Sequence, residues 1–376
     1  MTSSAQQLSN TLQHKITKEI NNHGVISFAR FMEMALYQPG LGYYSAGLKK
    51  FGKEGDFVTS PELGDLFARS QAQVFQAVLA QYDDAIVLEL GAGMGSFCRD
   101  VLLALDELGQ LPEAYWILEI SADLKQQQKE TVSQLPKQLA DKVVWLDALP
   151  TQTFNGVVFG NEVIDALPVE IFSQQSGQKK RLMLADEKGL LTEQWHDFPE
   201  DLAQQLSSKS LELNEGYRSE FIPHLKQWLS GITSYLQSGL VLWVDYGFGA
   251  PAFYHPDRNQ GTVVCHQRHE ANFNPYQSVG LQDITAFVDF THVAECLNQL
   301  GCEIAGFTNQ ADFLMSAGIA NLLNPEGDYT NYYQQASEMK HLMLPTEMGE
   351  KFKVLAATKN YQGPLLGFDN NRLYDL

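Results

Sequence analysis

The chain has 376 residues, enough for one large α/β domain with additional segments or for two smaller domains. Hydrophobic residues make up 44% of it and charged residues 19%, a balance typical of folded proteins that argues against extensive disorder. The 45 acidic and 26 basic residues give a formal net charge of −19, which would repel a phosphate backbone and argues against a general nucleic-acid-binding role.

The N-terminal residues and the cysteines indicate where the protein is located and whether it binds a metal. No stretch reaches the ~18 consecutive apolar residues that span a bilayer. The N-terminal segment lacks both the apolar core of a signal peptide and the arginine-rich composition of a transit peptide. The four cysteines form no CxxC pair and have no zinc-ligand spacing. We therefore expect a cytoplasmic protein with no membrane span and no metal site.

The first 82 residues are predicted to form a helical region that includes a lid. Apolar residues recur at helical spacing in positions 8, 12, 16 and 20, and Ser27 is expected to cap a second helix that carries Phe28. A stretch rich in glycine and tyrosine over 39–44 predicts turns. A further helix is predicted over 61–81, with Pro61 in its first turn.

From residue 83 onward, short apolar runs alternate with helical segments. The runs that we interpret as strands are 85–90, 115–120, 143–146, 156–160, 240–244 and 352–357. The helices predicted between them are 97–108, 122–135 and 221–237. This alternation is typical of a parallel sheet covered on both faces, so we predict a Rossmann-like α/β domain over 83–376. The more polar and irregular segment 172–220 is interpreted as an insertion between the fourth and fifth strands.

The first strand of this domain ends in a glycine-rich turn, Leu88-Glu89-Leu90-Gly91-Ala92-Gly93-Met94-Gly95. Glycine lets the backbone pass close to a ligand and exposes N–H groups at the start of the next helix, although a tight turn alone could also require it. The spacing is G-x-G-x-G, not the G-x-G-x-x-G of most dinucleotide-binding proteins. Glu89 would repel a pyrophosphate but attract the ammonium of a methionyl group. We therefore predict S-adenosylmethionine as cofactor, held by Glu89, Gly91, Gly93 and Gly95.

Two further acidic residues stand at the ends of the next two predicted strands. Glu119 lies 28 residues after Gly91, and Asp147 lies 28 residues after Glu119. Ligands of open α/β sheets bind at the carboxyl ends of the strands, although each acid taken singly could be a solvated strand end. We predict that Glu119 accepts hydrogen bonds from the ribose hydroxyls and Asp147 from the adenine amino group. The residues that follow them, Ile120 and Ala148, are expected to complete the cofactor site.

The fourth strand leads into Asn161, Glu162 and Asp165. In this architecture the loop after the fourth strand faces the methyl group, and transfer from a sulfonium mainly requires that the acceptor be positioned in line. Glu162 and Asp165 are three residues apart, so both can face one pocket if the segment begins a helix. Paired carboxylates suit a cationic acceptor such as guanidinium, so we predict Glu162 and Asp165 as catalytic residues and Asn161 as a cofactor contact.

Two alternatives remain open at this segment. The acidic residues could simply suit the dipole at the N-terminus of a helix. The acceptor could also be neutral, and Asn161 would then matter more than the two carboxylates.

Several strings of the chain together resemble the MidA-like methyltransferase family. The most specific are Gly55-Asp56-Phe57-Val58-Thr59-Ser60-Pro61-Glu62 and Asn161-Glu162-Val163-Ile164-Asp165-Ala166-Leu167-Pro168. The segment Leu88–Gly95, Glu119 and the string Val244-Asp245-Tyr246-Gly247 add to the resemblance, which covers most of the chain. Mitochondrial members of this family assist the assembly of respiratory complex I as protein-arginine methyltransferases.

The resemblance implies a seven-stranded, mostly parallel methyltransferase sheet with helices on both faces and S-adenosylmethionine as the methyl donor. It also implies methylation of an arginine nitrogen in a protein substrate, such as a respiratory-complex subunit. Val163 and Ile164 stand where the family commonly has two aromatic residues, so the acceptor is less directly implied than the cofactor. The alternatives are a methyltransferase acting on a small molecule or another side chain, and a non-catalytic assembly protein. The string 55–62 could form a lid over the cofactor or a buried turn.

Overall fold

The structure is a computed structural model that describes residues 3–46, 59–207, 213–268, 270–323 and 328–376. Residues 55–58 of the string 55–62, including Asp56, lie outside the described residues. The proposed lid function of that part of the string therefore stays a prediction.

The described residues form α-helices, β-strands and three short 3-10 helices. The helices are α1 (Ser3–His23), α2 (Phe28–Tyr37), α3 (Ser60–Leu63), α4 (Leu66–Leu79), α5 (Ser96–Glu107), α6 (Ala122–Val132), α7 (Lys137–Ala140), α8 (Glu200–Ser207), α9 (Leu225–Thr233), α10 (Ala250–Phe253), α11 (Phe290–Gln299), α12 (Gln310–Ser316) and α13 (Tyr329–Met343). The strands are β1 (Ile26–Ser27), β2 (Ile86–Leu90), β3 (Ala114–Leu118), β4 (Val143–Leu146), β5 (Phe154–Asn161), β6 (Glu170–Gln175), β7 (Gln178–Glu187), β8 (Leu190–Asp197), β9 (Arg218–Phe221), β10 (Leu236–Phe248), β11 (Val264–Gln267), β12 (Glu270–Asn272), β13 (Asp283–Thr285), β14 (Val288–Asp289), β15 (Glu303–Asn309) and β16 (Phe352–Lys359).

These elements belong to two compact units, each made of three stretches of chain. Unit 1 consists of Met1–Phe57, Ile164–His224 and Pro251–Phe287. Unit 2 consists of Val58–Val163, Leu225–Ala250 and Val288–Leu376. The units therefore alternate along the sequence. The consecutive domains expected over 1–82 and 83–376 are a different kind of division and stay a prediction.

Unit 1 is built on two antiparallel sheets. One has the strand order β1-β7-β6-β9 with β8 paired to β7, and the other has the order β12-β11-β13. Alternation along β7 buries Leu182 and Leu184 in the core of this unit, against apolar residues of α1 and α2. Ser27 accepts a hydrogen bond from the backbone N–H of Arg30 and caps α2, as predicted. The expectation of irregular structure over 172–220 is wrong, because the segment contains regular strands and a helix.

Unit 2 is built on an eight-stranded sheet with the order β15-β16-β10-β5-β2-β3-β4, and β14 pairs with β10. Strands β10, β5, β2, β3 and β4 run parallel to one another, whereas β16 is antiparallel to both β10 and β15. Every residue of β2 is buried, as expected for a strand covered on both faces. The core lies between the sheet and its helices, where Phe97 of α5 stacks on Phe159 of β5 with ring centroids 4.3 Å apart.

The predicted α/β class is confirmed, with a mixed sheet in unit 2. The sheet departs from the expected seven strands because the two-residue strand β14 pairs with the end of β10. Since β2, β3, β4 and β5 are parallel, their carboxyl ends meet at one edge of the sheet, where ligands of such folds bind. Within the described ranges, no helix combines the length and apolar character needed to cross a bilayer.

Candidate functional site

The chain passes from β2 into α5 through three glycines with left-handed backbone conformations. The φ angle is 63° at Gly91, 52° at Gly93 and 82° at Gly95, values that other residues rarely adopt. A Cβ atom on Gly93 would meet no atom within 4 Å, so the backbone faces open space there. A Cβ on Gly95 would come within 3.2 Å of the Cα of Gln128 on α6. The second glycine thus leaves room for a ligand, and the third lets α6 pack closely.

Glu89 lies within the sheet and is only 3% exposed. Its Oε2 accepts a hydrogen bond from the Oη of Tyr115 at 2.8 Å. Burial raises the pKa of Glu89 to about 8; the Tyr115 hydrogen bond opposes this shift, and the nearby Glu119 adds to it. This raised pKa favours the neutral carboxyl form of Glu89 at pH 7, in contrast to the charged acid expected from the sequence.

Glu119 follows β3 directly and is 6% exposed. Its Oε1 accepts a hydrogen bond from the backbone N–H of Ser121 at 2.8 Å, and its Oε2 accepts one from Nε2 of Gln128 at 2.9 Å. Burial raises the pKa of Glu119, and these donors oppose the shift together with the backbone N–H of Ile120 and the charge of Lys125. Because a carboxylate has about four acceptor sites, this group can accept further hydrogen bonds from a ligand.

Ile120, Asp147 and Ala148 follow the neighbouring strands β3 and β4, and all three are exposed. Ile120 is 75% exposed, so a large apolar side chain faces solvent beside the buried Glu119. The Oδ1 of Asp147 accepts a hydrogen bond from Nζ of Lys125 at 2.6 Å, and this bond lowers the pKa of Asp147. The edge of the sheet thus presents an apolar side chain and an ionised carboxylate.

Asn161 and Glu162 stand where β5 ends. The Nδ2 of Asn161 donates to Oε1 of Glu162 at 3.0 Å, while Oδ1 of Asn161 is buried with no hydrogen-bond partner within the described part of the chain. Glu162 has a φ of 53°, and its backbone N–H donates to the carbonyl of Val244 on β10 at 2.9 Å. A left-handed conformation is unusual for glutamate and is held here by a contact from another strand.

The condition for Glu162 and Asp165 to share one helical face, a helix that starts after Glu162, is not met. Residues 162–169 form only bends, turns and irregular structure. The backbone N–H of Val163 donates to Oδ2 of Asp245 at 3.2 Å, and Pro168 disfavours a helical conformation in the residue before it. The helical spacing that was expected to bring Glu162 and Asp165 together is therefore absent, and their shared pocket stays a prediction.

Asp165 belongs to unit 1, where it is 4% exposed. Its backbone carbonyl accepts a hydrogen bond from the N–H of Ala286 at 3.0 Å. Within the same unit, Oη of Tyr44 donates to the two carboxylate oxygens of Asp283 at 3.1 Å and 3.0 Å. Burial raises the pKa of Tyr44, and the charges of Asp283 and Asp165 raise it further. Asp165 thus lies in a buried acidic environment that includes Asp283.

Gln128 is a component of the site that the sequence analysis missed. It is fully buried, and besides its bond to Glu119 its Nε2 donates to the carbonyl of Gly93 at 3.0 Å. Its Oε1 accepts a hydrogen bond from Nε1 of Trp145 at 3.1 Å. The signal in the sequence was a glutamine at the helical spacing of Leu124 and Val132, on the buried face of a predicted helix.

Glu62, the last residue of the string 55–62, also lies near the glycine turn. Its carboxylate on α3 accepts a hydrogen bond from the side chain of Ser96, the first residue of α5. Burial raises the pKa of Glu62, and the Ser96 hydrogen bond and the charge of Arg99 oppose the shift. The described end of the string therefore contacts the helix that follows the glycine turn.

These residues fit S-adenosylmethionine. The open space at Gly93 is a place where a ligand can approach the backbone. The buried Oδ1 of Asn161 has no protein partner within the described residues, and a hydrogen-bond donor of a ligand would satisfy it. The exposed Ile120 provides an apolar surface for a base.

Residues 66–308 match the model of a protein family described as "Putative S-adenosyl-L-methionine-dependent methyltransferase". The chain belongs to this family. A crystal structure of a Burkholderia thailandensis protein bound to S-adenosyl-homocysteine is 36% identical, with a TM-score of 0.95 over 100% of this chain and 99% of that chain. A second, native crystal structure from the same organism is 35% identical, with a TM-score of 0.92. These findings confirm the MidA-like resemblance and S-adenosylmethionine as the cofactor.

Curated relatives extend over nearly the whole chain. A Caenorhabditis elegans protein named "Protein arginine methyltransferase NDUFAF7 homolog, mitochondrial" is 27% identical over 92% of this chain and 86% of its own length. The Danio rerio protein named "Protein arginine methyltransferase NDUFAF7, mitochondrial" is 26% identical over 93% of this chain and 87% of its own length. The cytoplasmic localisation predicted from the N-terminal composition is contradicted by these relatives, which are named as mitochondrial proteins.

Proposed function

We propose that this methyltransferase methylates an arginine guanidinium nitrogen of a protein substrate. The observation that carries the proposal is Glu162, a carboxylate held in a left-handed conformation at the end of β5 and hydrogen-bonded by Asn161. A carboxylate at this edge suits a cationic acceptor. Relatives named as protein arginine methyltransferases support the same class of substrate.

We assign the cofactor contacts to the strand ends of unit 2. Glu119 would accept hydrogen bonds from the ribose hydroxyls, and the open backbone at Gly93 would lie against the methionyl part. Ile120 and Ala148 would pack against the adenine, and Asp147 would accept a hydrogen bond from the adenine amino group. Gly91 and Gly95 shape the turn. Asn161 would offer its free Oδ1.

The role of Glu89 is the least direct of these assignments. The pKa of Glu89 is raised to about 8, so its carboxyl group has a proton to lose at pH 7. A nearby ammonium group would favour the ionised form and lower that pKa. Binding of a cationic methionyl group would then release a proton at pH 7. The ionisation of Glu89 would thus depend on the charge of the bound ligand.

The backbone of Glu162 argues for a functional role. A non-glycine residue in a left-handed conformation costs about 1–3 kcal/mol and persists only where surrounding contacts hold it. The contact from Val244 and the capture of the next N–H by Asp245 provide that support. Strain of this kind clusters at active sites, where it directs a side chain to a required position.

When bound, S-adenosylmethionine supplies a methyl group on a positively charged sulfur. The acceptor must be aimed in line with that group, and most of the rate enhancement of such a reaction comes from positioning. Glu162 would neutralise and orient the guanidinium. The attacking nitrogen gains the methyl group and loses one proton, which Glu162 can accept, so that the methylated guanidinium keeps its single positive charge. Asp165 stays a proposed catalytic carboxylate.

The test is transfer of labelled methyl groups into cell-lysate proteins, followed by hydrolysis and separation of the methylated amino acids. We expect label in methylarginine. Glu162→Gln should reduce its formation by about 100-fold or more while S-adenosyl-homocysteine affinity stays nearly unchanged. Glu303→Gln, at an exposed glutamate on β15, is the matched control and should keep full activity.

Three outcomes would overturn the proposal. Label found in small molecules or in other amino acids would exclude arginine as the acceptor. Equal loss of turnover and cofactor affinity in Glu162→Gln would place Glu162 in the cofactor site. For a neutral acceptor, Glu162→Gln and Asp165→Asn would both be nearly silent, and Asn161→Ala would be the damaging change.

A further inference from the structure

Gln128 makes three hydrogen bonds with both ends of its side-chain amide. Its Nε2 donates to Oε2 of Glu119 at 2.9 Å and to the carbonyl of Gly93 at 3.0 Å. Its Oε1 accepts from Nε1 of Trp145 at 3.1 Å. The residue is fully buried, so no water competes for these partners. A side chain from α6 therefore links Glu119 to the glycine turn, the two segments that the sequence predicts to bind the cofactor.

These partners allow only one orientation of the amide. Glu119 and Gly93 present acceptors, and an amide supplies two N–H donors from its nitrogen alone. The indole of Trp145 is a donor only, so it requires the amide oxygen. A flipped amide would set oxygen against two acceptors and nitrogen against a donor. The network thus requires that the amide nitrogen of Gln128, and not its oxygen, points to Glu119.

The Glu119 carboxylate is oriented by a donor on each oxygen, from α6 and its N-terminal cap, and the backbone N–H of Ile120 also donates to it. Ser121 donates to Oε1, and Gln128 donates to Oε2. A carboxylate has about four acceptor sites, so these three donors leave it acceptor capacity while they fix its orientation. An oriented carboxylate of this kind can accept a hydrogen bond from the hydroxyls of a ribose.

We propose that Gln128 is a positioning residue that orients Glu119 for recognition of the ribose cis-diol. It also holds the glycine turn: its Nε2 contacts Gly93, and its Cα lies against Gly95, where a Cβ would come within 3.2 Å. The inference rests on the proposed role of Glu119. It adds that the side-chain amide of Gln128 fixes both the orientation of Glu119 and the conformation of the glycine turn.

The experiment compares the affinities of S-adenosyl-homocysteine and its 2′-deoxyribose analogue, measured by calorimetry. Wild-type protein should prefer the ribose form by about tenfold or more, as expected for a hydrogen bond to a charged group. Gln128→Met keeps the length of the side chain but removes its donors, and should reduce this preference to about threefold or less. Gln128→Glu, which sets a carboxyl against Glu119, should do the same.

The matched control is Gln126→Met. Gln126 lies on the exposed face of the same helix. Its Nε2 donates a hydrogen bond to Oε1 of Glu130 on that face. Its variant should keep the wild-type ratio. The melting temperature of each ligand-free variant shows whether the fold has survived. A purely structural role of Gln128 would weaken both ligands equally and leave their ratio unchanged, which would overturn the proposal.

The failure of the underlying assignment has a different signature. If the wild-type protein binds both ligands equally and Glu119→Ala keeps its affinity, Glu119 does not contact the ribose and the inference falls with it. If Glu119→Ala abolishes the preference but Gln128→Met and Gln128→Glu keep it, Glu119 recognises the ribose without help from Gln128. Agreement between the Glu119 and Gln128 variants supports the positioning role.

Discussion

Two neighbouring strands of the unit 2 sheet end in left-handed backbone conformations, but by different means. After β2 the left-handed positions are Gly91, Gly93 and Gly95. After β5 the position is Glu162, which is held by the carbonyl of Val244 on β10. Glycine adopts this conformation without a steric penalty, whereas glutamate requires support from elsewhere in the fold.

The difference shows how each turn is specified. The glycine turn is encoded locally, so its place can be predicted from the spacing of its residues. The conformation of Glu162 depends on β10, which lies more than 70 residues further along the chain. A local string therefore predicts the conformation of the first turn, whereas the left-handed conformation of the second becomes recognisable only when the neighbouring strand is in place.

Gly93→Val should have the largest effect and tests whether the glycine turn faces the cofactor. A branched side chain would fill the open space at Gly93, and we expect binding of S-adenosyl-homocysteine to be abolished in calorimetry. Gly109→Val is the matched control, because Gly109 also has a positive φ, of 70°, and an open Cβ direction. It should lower stability to a similar degree but keep the affinity. Equal affinity in both variants would contradict the site.

Glu162→Gly separates strain from function at the second turn. Removal of the left-handed glutamate should raise the free energy of unfolding by about 1 kcal/mol, and loss of the carboxylate should reduce turnover by about 100-fold. Denaturant unfolding and labelled-methyl transfer measure the two effects. Lys188→Gly relieves a similar φ of 56° in the β7–β8 hairpin and should leave turnover unchanged. A Glu162→Gly variant that stays active would show that the carboxylate of Glu162 is not needed for catalysis.

Glu119→Ala tests the acid that follows β3. Loss of a charged acceptor should weaken S-adenosyl-homocysteine binding by about 1.5–3 kcal/mol per lost hydrogen bond. Glu113→Ala is the control, since Glu113 is an exposed glutamate that precedes the same strand. A decrease in affinity of less than about threefold, or ~0.7 kcal/mol, would mean that Glu119 does not hold the ribose.

Glu89→Gln should have the smallest effect, on the pH dependence of stability. The pKa of Glu89 is raised from 4.5 to about 8 on folding, so its stabilising contribution is complete below pH 4.5 and is lost as the pH rises through 8. Between pH 7 and 9 the free energy of unfolding of the wild type should fall by about 1.4 kcal/mol more than that of Glu89→Gln. Urea unfolding at the two pH values provides the measurement, and parallel pH profiles would show that Glu89 ionises normally.

The sequence by itself was sufficient for the α/β class and for the cofactor. Continuous apolar runs such as 240–244 become buried strands, because strands covered on both faces are built mainly of apolar side chains. The glycines after β2 predict a binding turn, because their conformational freedom is a local property. The capping of α2 by Ser27 was likewise local, and the structure shows it.

Only the tertiary structure decided the state of the buried acids and the course of the chain after β5. The raised pKa of Glu89 arises from burial and from the nearby Glu119, against the opposing hydrogen bond from Tyr115 on the neighbouring strand. No sequence spacing reveals these contacts. Gln128 contacts Glu119 and the glycine turn only because α6 packs against both. The bond from Val163 to Asp245 replaced the expected helix, since a backbone N–H bound to a distant carboxylate is an alternative to local helical structure. Contacts between residues far apart in the chain depend on the packing of strands and helices, and local residue patterns do not contain that information.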